Sequence, residues 1–387
     1  MPELGLVCLS SDEQCRFRTI TRSRYLSLEQ PQRDSDLHAI YWDNVQRLHW
    51  TLGYCQRRNI RLYRATSALF PMSDEPAGEA ILRGMASSLA SVGRRAKALG
   101  IRVVLHPDQF VVLNSESEKT RAVSRLILEK HALAFDLMGL EQSPWNLMNI
   151  HGGKAGRSDE LVDVIKDLPP NVKQRLTLEN DEYSFSAAEI YDVCRRAGVP
   201  MLFDCHHHVI KEGLDSYDHP SVAEFTKLAA GTWPKREWQV VHVSNGDQAF
   251  LDRYHSEKIT MIPAAFRDVP WIEVEARGKE IAIKGLQESW PERSTAAEGF
   301  PLRRLNAAEQ REAAVAMGID PKTISVKVVR TTTLAPAKKK VVKKAAKKTK
   351  TKKKTKTAKP PKKLVKKQTA KKPSTPKSRS KDSSTAA

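Results

Sequence analysis

Apolar segments long enough to cross a membrane are missing from this 387-residue sequence. No run approaches the ~18 apolar residues that a transmembrane helix needs. The first residues, MPELGLVCLSSDEQC, also lack the basic segment and long apolar stretch of a signal peptide. The five cysteines are odd in number, scattered and without a C-x-x-C pair, which argues against a disulfide framework or a structural zinc site. We therefore expect a protein of the reducing cytoplasm with no membrane partner.

Acidic residues are almost absent from the last fifty positions, where the positive charge of the whole chain is concentrated. Residues 338–387 hold 22 of the 65 Lys and Arg residues but one of the 45 acids, so the remainder carries a net charge of −1. A segment dominated by Lys, Ala, Thr and Pro cannot bury enough surface to fold, and we predict a disordered tail over 329–387. It would bind polyanions by counterion release or act only as a solubilising extension. The lysines expected to bind DNA without sequence preference are Lys338, Lys339, Lys340, Lys352, Lys353 and Lys354.

Eight short apolar runs are present upstream of this segment, and six of them end in polar residues. Runs of four or five Val, Ile, Leu or Met residues are typical of buried parallel strands. The six runs are VVLHPDQF, NLMNIHGG, RLTLEND, MLFDCHHH, VVHVSNG and WIEVEA, and LGLVCL and IRLYRAT complete the eight. Segments of helical periodicity separate many of them: Trp42–Arg58, Glu79–Leu99, Thr120–Gly139 and Ser186–Ala197.

This alternation predicts an α/β protein with a parallel sheet. An open doubly wound sheet would give the same pattern, but polar residues end nearly every strand instead of clustering at one switch point. We therefore predict a single (β/α)8 TIM-type barrel over residues 1–290. Residues 291–328, with one candidate helix from Asn306 to Met317, are predicted to be an extension or linker before the tail at 329–387.

The polar strand ends are rich in the side chains that bind hard metal ions. The carboxyl ends of barrel strands converge on one mouth, so these side chains should meet there. In the Asp204-Cys205-His206-His207-His208 run we expect His207 to bind, because strand alternation would keep the three imidazoles from pointing the same way. Glu273 shares the face of Glu275 and is the alternative at the last strand. The candidate ligands are His106, His151, Glu179, Asp204, His207, His242, His255 and Glu275.

So many nitrogen and oxygen donors exceed the needs of one tetrahedral zinc ion, and no thiolate motif competes. Each residue alone could be a loop residue or, as for Glu179, part of an acidic helix start. Their repetition at equivalent positions favours a cluster of two or three divalent ions. Such clusters suit phosphodiester hydrolysis.

The motifs also resemble those of the ultraviolet damage endonuclease family over roughly residues 3–285. The matching segments are LGLVC, YRATSALFP, HPDQF, NIHGGK, LEND, DCHHH, HVS and EARGKE. The resemblance implies a single barrel that grips double-stranded DNA and nicks it immediately 5′ to cyclobutane dimers and 6-4 photoproducts. It further implies a metal cluster, with manganese favoured over zinc, magnesium or cobalt, and catalytic roles for Glu179, His242 and Glu275.

The same resemblance assigns residues that contact the lesion. Gln109 and Phe110 match the pair that the family inserts into the duplex, although Phe110 could instead be an ordinary core residue beside Val111 and Val112. An aromatic ring can fill a stack from which damaged bases have been flipped. Arg64, in the YRATSALFP segment, is also predicted to bind the lesion. We expect a monomer associated with the nucleoid.

The chain departs from the family pattern at four positions. Asp74 stands where the family usually has a ligating histidine, and Val240 stands where some members carry a modified lysine. Leu6 and Ser10 replace a Tyr and an Asn of close relatives.

Other functions suit parts of the same sequence. An abasic-site endonuclease like the endonuclease IV family would use a similar cluster. A metal-dependent sugar isomerase or epimerase would have the barrel but no reason for the basic tail. A non-catalytic chromatin protein on a degenerate barrel would have the tail but no reason for the ligand set.

Overall fold

The structure is a closed barrel of eight parallel strands, which confirms the predicted fold class. It is a computed structural model and describes residues 1–304, 306, 308 and 309. The strands follow sequence order around the barrel, and pairing of the first with the last closes it. They are β1 (Glu3–Val7), β2 (Leu62–Thr66), β3 (Arg102–His106), β4 (Met148–His151), β5 (Leu176–Glu179), β6 (Met201–Asp204), β7 (Val240–Val243) and β8 (Trp271–Val274).

Helices surround the barrel at or near the segments predicted from periodicity. The helix predicted to begin at Trp42 begins earlier, and no described helix is long and apolar enough to cross a bilayer. In chain order they are α1 (Arg22–Leu26), α2 (Gln30–Arg57), α3 (Pro76–Gly84), α4 (Ala86–Ala98), α5 (Glu118–Met138), α6 (Ser158–Lys166), α7 (Pro170–Lys173), α8 (Ala187–Ala197), α9 (Cys205–Glu212), α10 (Pro220–Ala230) and α11 (Glu280–Glu288).

One predicted helix is two helices in the structure. The segment from Glu79 to Leu99 divides at Met85, whose backbone leaves the helical region between α3 and α4. Gly84, a weak helix former, immediately precedes this break. At the end of α5 the prediction was sound, since Gly139 adopts a left-handed conformation with φ of 69° and caps the helix.

The amino end of the barrel, opposite the mouth, is closed around a buried arginine. Arg102 begins β3, and its guanidinium carbon lies 4.6 Å from the ring centre of Trp145 and 5.2 Å from that of Trp271. Its three nitrogens donate to the carbonyls of Trp145, Trp238 and Pro144 at 2.7, 3.0 and 2.8 Å. Burial lowers the pKa of Arg102 to about 9. Aromatic faces and carbonyls thus replace the water that this cation loses.

Part of the predicted extension is attached to the barrel loops. The amides of Phe250 and Leu251 donate to the carbonyls of Pro301 and Leu302 at 2.9 and 2.7 Å. The Tyr217 amide likewise donates to the Ser294 carbonyl at 2.9 Å. The division at residue 290 stays a prediction. Most of the Asn306–Met317 helix and the whole basic tail, with its six named lysines, lie outside the described residues.

Candidate metal centre

The predicted ligands come from neighbouring strands whose register brings their ends together. His151 ends β4 beside Glu179 of β5, and Asp204 of β6 lies beside His242 of β7. Glu275 directly follows β8. The parallel register therefore places the carboxyl ends of these five strands at one edge of the barrel, as the sequence pattern predicted.

Seven of these side chains form three overlapping groups in which the potential ligand atoms all lie within 4.8 Å of one another. Glu179 belongs to the first two groups and Asp204 to the last two. Shared carboxylates are what a cluster of adjacent ions requires, because one carboxylate can bridge two metals. The groups are His106–His151–Glu179, Glu179–Asp204–His207 and Asp204–His242–Glu275.

Buried atoms without partners indicate that this donor set fits metal ions. His151 Nδ1 and Asp204 Oδ2 have no hydrogen-bond partner within the part of the chain that the structure describes. A buried polar atom left unpaired costs about 1–3 kcal/mol. Two such atoms in adjoining groups of His and carboxylate ligands are explained if they bind cations.

Neighbouring groups orient two of the histidines so that one ring nitrogen of each faces Glu179. The Nδ1–H of His106 donates to the Pro107 carbonyl at 2.8 Å, and its Nε2 lies 3.4 Å from Glu179 Oε2. His242 Nε2 lies 2.7 Å from Glu273 Oε2, while its Nδ1 lies 3.1 Å from Glu179 Oε1. A hydrogen bond of this kind fixes the tautomer of a metal-binding histidine and raises its basicity.

Glu273, predicted only as an alternative to Glu275, contacts the candidate ligand His242 and belongs to the site. It is fully buried inside the barrel, where Arg64 Nη1 lies 3.0 Å from its Oε2. Arg64 also pairs with Glu275 and lies 3.4 Å from His242 Nε2. The structure therefore gives Arg64 a place among the acids at the floor of the site, and its predicted contact with the lesion stays a prediction.

The titration of these groups follows from burial and from their charged neighbours. Burial disfavours the Glu179 anion, but the positive charge of His242 outweighs this effect and holds the pKa of Glu179 well below its usual range. Burial lowers the pKa of His151 to about 4 and raises the pKa of Asp204. Glu179 is therefore an anion and His151 a neutral imidazole at neutral pH, the forms in which each can bind a metal.

The three consecutive histidines belong to a helix and not to an extended strand end. Asp204 caps α9 by accepting the His207 amide at 2.8 Å, so the imidazoles point in directions about 100° apart. Only His207 of the three joins the ligand groups. His206 lies between the Asp252 carbonyl and the Tyr217 hydroxyl, and His208 contacts Ser221.

Two further predicted ligands lie outside the three groups. His255 Nδ1 is 3.9 Å from Glu275 Oε2, at the edge of the cluster. Asp74 forms an ion pair with Arg22 of α1 instead. Its assignment as a ligand has no support from this geometry and stays a prediction.

The other departures from the family pattern differ in their surroundings. Val240 and Leu6 are fully buried, and Val240 packs with Leu62, Val104 and Leu202. Ser10 lies in the loop after β1, where its hydroxyl accepts the Asp12 amide at 3.2 Å. Val240 is thus part of an apolar layer of the barrel, where some family members have a modified lysine.

An open groove of about 700 Å3 leads from the cluster to the surface. Gln109 and Phe110 lie in the loop after β3 and line it. Phe110 is 67% exposed, which excludes the alternative that it is a core residue. Single exposed rings are common on protein surfaces, so it is the position of Phe110 in the groove beside the cluster that makes it a candidate ligand contact.

A family model described as "UV-endonuclease UvdE" matches residues 2–296. The chain belongs to this family. It is 56% identical to a UV DNA damage endonuclease of Nostoc sp. over 75% of this chain and 90% of that protein. It is 46% identical to a UV DNA damage endonuclease of Deinococcus radiodurans over 74% of this chain and 95% of that protein. The resemblance inferred from the motifs is therefore confirmed.

A solved structure agrees with this family membership. The crystal structure named SacUVDE is 26% identical to this chain, with a TM-score of 0.62 over 74% of this chain and 99% of that one. The barrel described above is thus the fold of a family member.

Proposed function

We propose that this protein is a metal-dependent DNA repair endonuclease that nicks one strand immediately 5′ to cyclobutane dimers and 6-4 photoproducts. The observation that carries the proposal is the coincidence of three overlapping ligand groups with an exposed aromatic ring in one groove. The names of the relatives supply the lesion class. The ligand groups in the groove support metal-assisted hydrolysis as the reaction.

The ions would be bound by nitrogen and carboxylate oxygen atoms alone. Cys205, the cysteine nearest in sequence to the ligands, directs its thiol to the His242 carbonyl and is absent from the three groups. The family resemblance favours Mn²⁺ as the bound ion, with Zn²⁺, Mg²⁺ and Co²⁺ as alternatives. The ligands in this proposal are His106, His151, Glu179, Asp204, His207, His242, His255 and Glu275, with Asp74 as a further candidate. Bound ions would supply a hydroxide near neutral pH and neutralise charge on the scissile phosphate.

The residues of the chain organise this chemistry. Glu179 links two of the ligand groups, and Asn149 Nδ2 donates to its Oε2, so that the carboxylate has one orientation. Glu273 holds His242, and Arg64 offsets the charge of Glu273 and Glu275. Glu179, His242 and Glu275 are therefore the proposed catalytic residues.

Lesion recognition is assigned to the loop after β3. Gln109 and the exposed Phe110 would enter the duplex and occupy the space left by the damaged dinucleotide. A damaged pair is weakly stacked and costs least to extrude, which gives selectivity. The lysines after residue 337 would hold the enzyme near undamaged DNA. We propose a monomer that works in the cytoplasm, close to the nucleoid.

A labelled duplex with one cyclobutane dimer tests the proposal beside abasic and undamaged duplexes. We expect a single nick 5′ to the dimer with Mn²⁺ and none with chelator. Cleavage confined to the abasic duplex would make the protein an abasic-site endonuclease. Binding of all three duplexes without cleavage would contradict the proposal.

A further inference from the structure

The groove has a second exposed aromatic feature, which the predicted lesion contacts do not include. Arg253 Nη1 donates to the Tyr183 hydroxyl, and Nη2 donates to the Tyr254 hydroxyl at 3.2 Å. Its guanidinium carbon lies 5.8 Å from the Tyr183 ring centre and 5.1 Å from that of Tyr254. We call these three residues the tyrosine–arginine rim.

Barrel topology places Arg253 of this rim across the mouth from Phe110. Arg253 follows β7, and Phe110 follows β3. Strands four apart in a closed eight-stranded barrel lie on opposite sides of it. Arg253, Tyr183 and Phe110 nevertheless line the same groove. Anything that fills the groove is therefore held between Phe110 on one side and Arg253 on the other.

The charge of Arg253 is free for a ligand. No carboxylate lies within 4.0 Å of it among residues 1–304, 306, 308 and 309, whereas Arg277 pairs with both Asp247 and Glu257. Two other cations add to the positive potential at the rim. Arg304 lies 5.7 Å from the Tyr254 ring centre, and Lys211 Nζ donates to the Tyr183 carbonyl at 2.7 Å.

Hydrogen bonds to buried groups stabilise the loop that carries Arg253. The buried carboxylate of Asp252 accepts the amides of Tyr254 and Gln248 at 3.2 and 3.3 Å. His206 Nε2 lies 2.9 Å from the Asp252 carbonyl, and the Tyr217 hydroxyl lies 2.7 Å from His206 Nδ1. The loop therefore presents Arg253 in one position, which lowers the entropic cost of binding.

From these observations we propose that Arg253 binds one backbone phosphate of the DNA at a fixed position relative to the lesion. A guanidinium has five N–H donors, of which two are used by the tyrosines, so the others can donate to the oxygens of a phosphate. The inference rests on the proposed function only in taking DNA as the occupant of the groove. The duplex would be held between Arg253 and Phe110, with the cluster at the floor.

A series of damaged duplexes, each with one phosphate replaced by an uncharged methylphosphonate, tests this inference in the full chain. Every duplex in the series has the same total charge, so contacts of the lysine-rich segment contribute equally to all of them. Binding without metal and kcat/KM with Mn²⁺ are measured for the wild type and for Arg253→Gln. The matched control is Arg195→Gln, because Arg195 lies 5.8 Å from the Tyr191 ring centre on α8, away from the groove.

We expect one position, or two adjacent ones, at which the methylphosphonate weakens wild-type binding and kcat/KM about tenfold, as loss of a charge-assisted hydrogen bond does. Arg253→Gln should show that loss on the unmodified duplex and no further loss at that position. Arg195→Gln should behave as the wild type. The inference is overturned if no position affects the wild type, or if Arg253→Gln stays sensitive wherever the wild type is. Because binding is read separately, failure to cleave would overturn the proposed function and leave this test intact.

Discussion

The two ends of this barrel both bury polar and charged side chains, but they differ in whether those side chains have hydrogen-bond partners. At the amino end all three nitrogens of Arg102 donate to carbonyls, and those of Arg175 donate to the carbonyls of Glu141, Leu140 and Asn171. At the mouth, His151 Nδ1 and Asp204 Oδ2 have no partner among the described residues.

The difference separates residues that hold the fold from residues that act on a ligand. A buried cation in which every nitrogen has an acceptor stabilises one arrangement of the chain and needs no ligand. Buried donors and acceptors left open at converging strand ends need a ligand to complete them. We therefore expect substitutions at the mouth to affect metal binding and cleavage, and substitutions at the amino end to affect stability.

Loss of the shared ligand should have the largest effect. Glu179→Gln keeps the shape of the side chain but removes the negative charge that two ligand groups share. We expect kcat on the dimer duplex to fall about 10³-fold, since a metal ion contributes several kcal/mol to the transition state. The fold should survive, as judged by circular dichroism. Glu141→Gln, in an exposed loop at the amino end, is the control and should be fully active.

A substitution at the amino end should have the opposite effect, a loss of stability without a loss of activity. Arg102→Met leaves the carbonyls of Trp145, Trp238 and Pro144 without their donor. We expect the free energy of unfolding to drop by about 3 kcal/mol in urea denaturation. Specific activity of the folded fraction should stay at the wild-type value. Arg125→Met, which removes an exposed pair with Asp167, should cost less than about 1 kcal/mol. An unchanged free energy of unfolding in Arg102→Met, or a loss of specific activity in its folded fraction, would remove the contrast between the ends.

The increase in stability on metal binding should depend on the ligands at the mouth and not on residues at the amino end. At about one hundred times its dissociation constant, Mn²⁺ should stabilise the wild type by about 2.7 kcal/mol in thermal denaturation, and chelator should reverse the shift. Asp204→Asn keeps the cap of α9, since Asn caps as well as Asp does, but removes a shared anionic ligand. That variant should lose most of the shift, and Arg102→Met should keep it. A full shift in Asp204→Asn would contradict the assignment.

We expect the smallest effect from a substitution in the groove. Phe110→Ala removes a ring that is 67% exposed, so the unfolding free energy and the Mn²⁺ shift should be unchanged. Cleavage of the dimer duplex should fall about tenfold, which corresponds to the loss of one base-stacking contact. The exposed ring of Trp42 on α2 is the control, and Trp42→Ala should cleave as the wild type does.

The barrel was predictable because the signals for it are local. Each short apolar run becomes a strand, and the polar residue that ends it lies at the mouth because parallel strands share one direction. His106, His151 and Glu179 needed only this rule to be placed together.

The roles of Glu273 and Arg64 could not be predicted in the same way. Strand parity puts Glu273 and Glu275 on one face but does not say which lies deeper in the barrel. Arg64 meets these acids through the pairing of β1 with both β2 and β8, across about 200 residues of sequence. Likewise, the helix at Cys205 depends on Asp204 capping it, which an apolar run followed by histidines does not reveal.

The number of Mn²⁺ ions retained per chain, measured by mass spectrometry after dialysis of the wild type and Asp204→Asn, tests the central claim most directly. The account predicts two or three ions per chain in the wild type, to match the three overlapping ligand groups, and at least one fewer in Asp204→Asn. A wild-type protein that retains no ion, or a variant that retains as many as the wild type, would contradict it.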